Sequence, residues 1–443
     1  MGDRRTAIAV LLILIVAGAS AVSCSCGNGG GAAADDDAID DDSDDDAHQN
    51  DCYNPPTEPP DGAHLPIGVW YHWFGATGDE EHDRGYYRTT LADIAAHGMD
   101  MVVANFVMDT NRVWFLEEAD RCGLDVIMGV PEMTALIVLP FPISQEQADE
   151  LAEQLAAPIR DMPALFGYYI ADEPGIHGII PENLAIARQA FEKADPLHPS
   201  FSCFALLGKM QMYFDAMDPE VLLTDMYPLY RFITRPEMFV DGWHIDAFLH
   251  HIETARAIAG EKPVWLVVQA FSNNLQWRMP IFEEIRAMVY LALGRGVRGI
   301  IYFCYQSTDF GEQLRGLLDT SGQPTANYER TTELHRSLEP IKTALLWSHP
   351  VGMSIGVQDG FDATAFRHEL GFHYVMVVNR DVLNRRTATV EIPSSSLPGV
   401  EAVFDEATGE AIPFERAGDA VRFSWTFEPG DGRMFRVCTQ ADR

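Results

Sequence analysis

Short apolar runs alternate with amphipathic stretches between about Leu65 and Ser348, and this alternation restricts the fold more than any other feature of the sequence. It is typical of βα units around a parallel sheet. Eight runs are predicted to be strands: Ile67–Phe74, Met101–Phe106, Asp125–Val130, Leu165–Ala171, Ser200–Leu206, Val221–Met226, Val264–Ala270 and Gly299–Tyr305. Helical patterns lie between them, for example Thr89–His97, Gln145–Asp161, Pro181–Ala194, Ile245–Ala259 and Ile281–Leu293.

Eight such units over residues 64–348 predict a (β/α)8 TIM barrel, a fold that typically needs about 250 residues. The alternative is an open, doubly wound sheet, in which a glycine-rich phosphate-binding turn usually follows an early strand. The sequence has no such turn. After residue 348 the pattern changes to alternating runs such as Phe372–Val378 and Gly432–Val437, separated by turn sequences. This pattern predicts a small antiparallel β-sandwich domain over residues 349–443.

Residues 1–23 have the composition of an export signal, with Arg4 and Arg5 before the apolar run Ala7–Ala17. The segment Ala21–Cys24 resembles the lipobox of bacterial lipoproteins, which implies that Cys24 is lipidated and becomes the mature N-terminus. An ordinary cleaved signal is the alternative. No Asp follows Cys24, so the resemblance implies export and anchoring to the outer membrane, on its periplasmic or cell-surface side.

Residues 24–63 are predicted to form an acidic tether. Asp35–Asp46 holds nine aspartates in twelve residues, which repel one another and cannot bury apolar surface. Prolines between residues 55 and 60 then stiffen the chain. Cys52 and Cys438 lie at the two ends of the folded part, where a disulfide between them is conceivable in an exported protein.

The charge and the motifs exclude several classes of function. The chain has a formal net charge of -35, which argues against binding to nucleic acid or to anionic lipid headgroups. It has no Cys-x-x-Cys pair and no zinc-protease histidine spacing, so no metal or cofactor is expected. It also lacks the Gly-x-Ser-x-Gly sequence of α/β-hydrolases.

The fourth predicted strand ends in two adjacent carboxylates, Asp172 and Glu173, followed by Pro174. In a barrel, functional groups come from the carboxyl ends of the strands. If side chains alternate regularly to the strand end, Glu173 points over the barrel mouth and Asp172 points aside. A glutamate partly desolvated beside another carboxylate has a raised pKa, as a general acid at neutral pH requires.

This Asp-Glu-Pro sequence resembles the Asn-Glu-Pro of clan A glycoside hydrolases, (β/α)8 enzymes in which the glutamate at the end of strand four is the acid/base. The resemblance implies glycosidase activity with Glu173 in that role. The alternative is that Asp172 and Glu173 only cap a helix that begins at Pro174. Clan A enzymes place a nucleophilic glutamate at the end of strand seven. This chain has Gln269 there, and an amide is neither a nucleophile nor a base.

A second carboxylate must therefore come from another strand end. Asp225, which ends the apolar run of the sixth predicted strand two residues before Tyr227, is the predicted catalytic partner of Glu173. Glu132 after strand three and Glu283 after strand seven are the alternatives. Asp225 can also be explained as a carboxylate bound to a neighbouring loop, and Glu283 as a charge at a helix N-terminus.

Aromatic and polar side chains are predicted around the same mouth, where rings stack on sugar C–H faces and polar groups bind hydroxyls. The predicted substrate-binding residues are Trp70, His72, Trp73, Asn105, Glu132, Asp172, Tyr227, Gln269, Tyr305 and Gln306. We therefore expect a monomeric glycosidase that cleaves a neutral poly- or oligosaccharide and meets the membrane only through its lipid. The alternative is a non-catalytic carbohydrate-binding lipoprotein on a barrel that has lost its nucleophile.

Overall fold

The computed structural model describes residues 51–60, 62–72, 77–105, 107, 111–233, 236, 243–309 and 311–442. The predicted signal peptide, Cys24, most of the predicted tether and Trp73 lie outside the described residues. Within these ranges, no helix is both long enough and apolar enough to cross a membrane.

The predicted barrel is confirmed: eight parallel strands pair in chain order, and the last strand pairs with the first. The closing pair aligns Ile67 with Ile300 and Gly68 with Ile301. The strands are β1 (Ile67–Tyr71), β2 (Met101–Ala104), β3 (Asp125–Gly129), β4 (Leu165–Asp172), β5 (Ser200–Cys203), β6 (Leu222–Asp225), β7 (Val264–Gln269) and β8 (Gly299–Phe303). Each strand begins within one residue of its predicted start, because buried parallel strands are nearly continuous apolar runs.

Helices surround the barrel. Those in the described part of the chain are α1 (Glu80–Ala96), α2 (Arg112–Arg121), α3 (Pro131–Ile137), α4 (Gln145–Ala156), α5 (Pro174–His177), α6 (Pro181–Ala194), α7 (Leu207–Met217), α8 (Trp243–Ala259), α9 (Phe282–Gly294) and α10 (Ala326–Leu346). Asp79, Ser144 and Thr325 accept backbone N–H groups at the starts of α1, α4 and α10, which fixes where these helices begin.

Aromatic side chains fill the half of the barrel interior that lies nearest the amino-terminal ends of the strands. The rings of Phe166 and Phe201 lie 5.7 and 5.6 Å from that of Trp265. Gly299 makes room for this tryptophan, since a Cβ at that position would lie 2.6 Å from its ring. Because aromatic side chains occupy this half of the interior, the carboxyl ends of the strands are the place where a site can form.

The predicted C-terminal β-sandwich is also confirmed. Its strands are β9 (Ser348–Val351), β10 (Phe361–His368), β11 (His373–Asn379), β12 (Arg386–Pro393), β13 (Val400–Asp405), β14 (Phe414–Ala417), β15 (Ala420–Phe427) and β16 (Gly432–Thr439). One sheet has the order β13–β16–β11–β10–β9 and the other has the order β12–β15–β14. Val377, Val390 and Phe435 pack between the two sheets. Tyr374 and Met376 belong instead to the apolar core of the barrel helices, so the larger sheet packs against the barrel.

A disulfide joins Cys52 to Cys438, which are 386 residues apart. Two further contacts fasten the segment before the barrel. The indole N–H of Trp347 donates to the Glu58 carbonyl, 2.7 Å away. The ring of Tyr53 lies edge-on to Phe404, with 6.1 Å between ring centres. The start of the described chain is therefore attached to residues near its end.

Replacing both Cys52 and Cys438 with Ala is expected to lower the free energy of unfolding by about 2–5 kcal/mol, because the bond restricts a long loop in the unfolded chain. Urea denaturation of the unreduced wild type and the double variant measures the difference. Cys122→Ala, which removes a half-buried thiol outside the disulfide, is the matched control. Equal stability of the double variant and the wild type would contradict the prediction.

Candidate active site

The carboxyl ends of β4 and β6 bring Glu173 and Asp225 together. Asp225 is the last residue of β6 and is 7% exposed, and Glu173 directly follows β4. Their carboxyl groups lie within hydrogen-bonding reach of each other. Two carboxyls this close repel each other when both are ionised, which favours a state in which they share one proton.

The end of β4 does not keep the regular alternation of side chains that the sequence analysis assumed. Tyr169 pairs with Phe201 but Ala171 pairs with Ser202, so β4 contains one extra residue there. Tyr169 packs inside the barrel, whereas Ala171 packs outside it. Asp172, expected to point aside, instead accepts a 2.6 Å hydrogen bond from the hydroxyl of Tyr169. That expectation is wrong because a β-bulge shifts the alternation by one residue.

Glu173 has a left-handed backbone conformation, with φ of 39° and ψ of 57°. The chain turns sharply at this residue, because Pro174 begins the one-turn helix α5 immediately afterwards. An L-residue in this conformation costs about 1–2 kcal/mol relative to the right-handed one. Backbone strain of this kind concentrates at functional sites, where the surrounding structure maintains it.

Replacing Glu173 with Gly is expected to raise the free energy of unfolding by about 1 kcal/mol. Gly adopts the left-handed conformation without steric penalty, and the change removes one partly buried carboxyl. Urea denaturation at pH 7 measures the effect. Glu182→Gly, in the first turn of α6, is the matched control and is expected to lower the stability by up to about 1 kcal/mol. A Glu173→Gly variant less stable than the wild type would rule out the assigned strain.

Asp172, Glu173 and Asp225 form a cluster of three carboxyls, and all three have raised pKa values. Burial is the main cause of the raised pKa of Asp172, Glu173 and Asp225 alike. The negative charge of Asp172 raises the pKa of Glu173 further, and both neighbours raise that of Asp225. The contact between the pair lowers the pKa of Glu173 and raises that of Asp225, so the shared proton is favoured on Asp225. His177 lowers the pKa of Glu173 and the exposed Glu312 raises it, each by a smaller amount. The pair therefore keeps its proton to higher pH than isolated carboxyls would.

The strand between β4 and β6 adds a thiol to the cluster. Cys203 ends β5, and its Sγ donates a hydrogen bond to Oδ1 of Asp225 over 3.5 Å. Burial raises the pKa of this thiol well above its usual value, so Cys203 is a neutral donor and not a thiolate. Three neighbouring strands thus each end in a group of the same cluster.

Aromatic side chains form the wall beside the carboxyl pair. The ring of Tyr227 lies 5.0 Å from Phe271, 5.4 Å from Trp277 and 5.8 Å from Phe303. The Tyr227 hydroxyl is close enough to Asp225 for that carboxyl to raise its pKa, after burial as the larger cause. The loops after β6 and β7 and the last residue of β8 therefore supply aromatic rings of the kind that stack on sugars.

Trp70 lies deeper in the barrel than these rings, near the end of β1. Its ring meets Tyr169 edge-on with 5.0 Å between ring centres, and the residue is 2% exposed. The predicted sugar-binding role of Trp70 therefore changes to one of packing beneath the cluster, against the tyrosine that binds Asp172.

Gln269 was predicted to bind substrate, but its side chain holds the loops after β6 and β7. Its amide oxygen accepts the backbone N–H of Leu229 at 2.9 Å, and its amide nitrogen donates to the carbonyl of Arg278 at 2.9 Å. The residue is 0% exposed. Because backbone groups occupy both ends of the amide, this side chain presents nothing to a sugar.

Tyr305 also lies away from the barrel mouth. It is 1% exposed, and its hydroxyl donates to Oδ2 of Asp93 in α1 over 2.6 Å. Its ring stacks on that of Tyr71, with 5.9 Å between centres. The expected sugar contact is wrong here because Tyr305 packs between the barrel wall and α1.

The two alternative second carboxylates are both paired with arginines. Glu132 forms a 2.5 Å salt bridge with Arg112, and Glu283 forms a 2.7 Å salt bridge with Arg330. Asp225 is therefore the carboxyl that the fold brings to Glu173.

The other predicted polar contacts stand near the ends of β1, β2 and β8. The backbone N–H of His72 donates to the Gln306 side chain at 2.9 Å. Burial lowers the pKa of His72 to about 3, so its ring is neutral at neutral pH. Asn105 is half-buried directly after β2. These positions remain predictions as substrate contacts.

Sequence reasoning missed Cys203 and Glu312 as members of the site. Cys203 had no usable signal, because it lies in the middle of predicted strand five, Ser200–Leu206, whereas β5 in fact ends at this residue. Glu312 had none, because it lies in the loop after β8, where Asn273 of the β7 loop donates to its carboxylate at 2.8 Å. Within the described ranges, no group of His, Cys, Asp and Glu side chains is arranged to hold a metal ion.

No family model matches the chain, and no curated protein matches it. Several solved structures share its fold. A catalytic mutant of Gan42B, a GH42 β-galactosidase from G. stearothermophilus, has a TM-score of 0.58 at 9% identity, covering 84% of this chain and 98% of that one. An α-amylase from Anoxybacillus has a TM-score of 0.51 at 10% identity, covering 85% and 97%.

The β-galactosidase of the psychrophilic Marinomonas ef1 has a TM-score of 0.50 at 12% identity, with 63% of this chain covered. The chain spans 60% of the length of that enzyme. Identities this low carry the fold and not the activity. The protein therefore has the barrel fold of these glycoside hydrolases, and its chemistry must be argued from its own strand ends.

Proposed function

We propose that the protein is a glycoside hydrolase that cleaves O-glycosidic bonds in a neutral poly- or oligosaccharide, with Glu173 and Asp225 as its catalytic residues. The close approach of these two carboxyls at neighbouring strand ends carries the proposal. Glycosidases need one protonated and one ionised carboxyl across the scissile bond, and a pair that shares one proton has that charge state.

The closeness of the pair favours a retaining mechanism. Two carboxyls within hydrogen-bonding reach have their carbons about 4 Å apart, nearer to the roughly 5–5.5 Å of retaining enzymes than to the roughly 6.5–9.5 Å of inverting ones. A sugar entering between the groups needs to separate them only slightly. Inversion would need room for a water molecule as well.

In this mechanism the shared proton moves to Glu173 as the sugar enters, and Glu173 donates it to the glycosidic oxygen as the C–O bond breaks. The Asp225 carboxylate attacks the anomeric carbon and forms an ester with it. The Glu173 carboxylate then accepts a proton from water, whose oxygen attacks the same carbon and releases Asp225. Tyr227 and Trp277 stack on the sugar, while Asp172, His72, Asn105 and Gln306 are proposed to bind its hydroxyls.

A panel of aryl glycosides and neutral oligosaccharides tests the proposed function, with product anomers followed by NMR. We expect hydrolysis of at least one glycoside with retention of configuration. Binding of oligosaccharides without hydrolysis of any of them would support the non-catalytic lipoprotein instead, for which the amide of Gln269 at the end of β7 is the favouring observation.

We further propose that the protein is exported and anchored to the bacterial outer membrane through a lipid on Cys24. The apolar run Ala7–Ala17 and the small residues before Cys24 support this. Growth with a radiolabelled fatty acid is expected to label the wild type and to leave Cys24→Ser unlabelled. Cys26→Ser is the matched control and should keep the label. A labelled Cys24→Ser variant would exclude the anchor.

A further inference from the structure

An aromatic pair lies beyond the wall of the proposed site, on the loop that follows β6. The rings of Tyr230 and Phe232 stack on each other, with 5.3 Å between their centres and 14° between their planes. Phe232 is 62% exposed, more than any other aromatic residue that the structure describes. Neither ring takes part in the mechanism above.

This pair is continuous with the rings beside the carboxyl cluster. Tyr230 lies directly opposite Trp277 in an antiparallel bridge between the loops after β6 and β7. Side chains at directly opposite positions of such a pair project to the same face. Trp277 in turn meets Tyr227 edge-on, with 5.4 Å between ring centres. A row of aromatic side chains therefore leads outwards from the cluster through Tyr227, Trp277 and Tyr230 to Phe232.

Hydrogen bonds fix both loops that carry this row. The backbone N–H of Arg231 donates to the Gln276 carbonyl over 2.8 Å, and that of Arg278 donates to the Leu229 carbonyl over 3.0 Å. The side-chain oxygen of Asn273, which is 6% exposed, accepts three backbone N–H groups of the β7 loop. A surface that is already held in place loses little conformational entropy when a ligand binds.

We propose that Tyr230 and Phe232 form an outer platform that binds a neutral sugar unit away from the scissile bond, so that the substrate is a saccharide chain of several units. The inference rests on the proposed function and narrows its substrate class. Sugar C–H faces stack on exposed aromatic rings, and polar groups beside the rings bind hydroxyls. Arg231, Asn274 and Gln276 are exposed polar residues of the same two loops.

A single exposed apolar ring is ordinary on a protein surface and indicates no ligand by itself. Phe232 is distinguished by its stacking on Tyr230 and by the row of rings that joins it to the site. The formal net charge of -35 makes two copies of the chain repel each other, which disfavours a second copy as the occupant of this face. A substrate that lies on Tyr227 and Trp277 reaches Phe232 by extending along the row.

The dependence of kcat/KM on chain length tests the platform. Cello-, manno- and laminari-oligosaccharides of two to six units are the substrates, and in the series that the wild type cleaves, kcat/KM should rise with chain length. Phe232→Ala is expected to lower kcat/KM for the longest chains by roughly 3- to 10-fold, the usual contribution of one aromatic stacking contact, and by less for each unit removed. Phe232→Trp keeps a ring and should retain the rise.

Phe141→Ala is the matched control, because Phe141 is another exposed phenylalanine, in the loop after α3. Its dependence on chain length should equal that of the wild type. Affinity electrophoresis measures the platform without hydrolysis, in gels that contain hydroxyethylcellulose, galactomannan or laminarin. At least one gel should retard the wild type and Phe141→Ala equally and Phe232→Ala less.

A wild type that is retarded through Phe232 but cleaves no saccharide would refute the proposed function and leave the platform standing. An equal loss at every chain length, or a Phe232→Ala variant retarded as strongly as the wild type, would overturn the platform and leave the proposed function standing. A wild type that neither binds nor cleaves any of these saccharides would overturn both. Sedimentation velocity tests the competing occupant: a wild-type dimer that Phe232→Ala dissociates would assign this face to a second copy of the chain and overturn the inference.

Discussion

Replacing Glu173 with Gln is expected to lower kcat/KM for glycosides with poor leaving groups by roughly 10²- to 10⁴-fold, the usual contribution of a general acid. The amide has nearly the same size and the same left-handed backbone requirement, so the fold should be retained. An alkoxide leaving group needs the proton that Glu173 supplies. A dinitrophenolate leaves without one, so the loss in the first step should be much smaller for dinitrophenyl glycosides.

Initial rates on alkyl, nitrophenyl and dinitrophenyl glycosides of the same sugar measure this dependence on the leaving group. Glu182→Gln is the matched control, because Glu182 is an exposed residue in the first turn of α6, away from the cluster. Its kcat/KM should equal that of the wild type. A Glu173→Gln variant with unchanged activity on the alkyl glycoside would contradict the role of Glu173 as the general acid.

The barrel was predictable because its strands are marked by composition. Buried parallel strands are apolar along their whole length, so runs such as Val264–Ala270 stand out beside amphipathic helices. Helices without a clear amphipathic pattern were harder to predict. Residues 112–121 and 207–217 form α2 and α7, and neither segment was predicted as a helix.

The candidate site was predictable only in part. Parallel strands end at one edge of a barrel, so Glu173 and Asp225 were expected near each other. How closely the two carboxyls approach was not predictable, because the sequence does not show the bulge in β4 that redirects the strand end. Gln269 and Tyr305 were wrongly expected at the barrel mouth. A residue near a strand end can face the mouth, the outer helices or a loop backbone, depending on the local register.

Replacing Asp225 with Asn is expected to lower kcat/KM by roughly 10²-fold or more, because an amide cannot form the glycosyl ester and loses the charge that stabilises the transition state. In contrast to Glu173→Gln, the loss should be similar for alkyl and dinitrophenyl glycosides, since formation of the ester and release of the leaving group are one step for both. The same substrate series measures both variants. A loss that disappears with the better leaving group would assign Asp225 the role of acid.

The same substitution is expected to stabilise the fold at neutral pH. A carboxyl whose pKa is raised by folding stabilises the protein below its unfolded pKa, about 3.9 for Asp, and this stability is lost as the pH rises through the folded pKa. Burial and two neighbouring carboxylates raise the pKa of Asp225 well above its usual range, so the wild type should lose stability from about pH 4 upward. Asn does not titrate and removes this loss. Urea denaturation at pH 4 and pH 7 measures the difference in unfolding free energy between Asp225→Asn and wild type, and this difference should grow with pH. A difference that is the same at both pH values would mean that Asp225 ionises as freely in the folded chain as in the unfolded one.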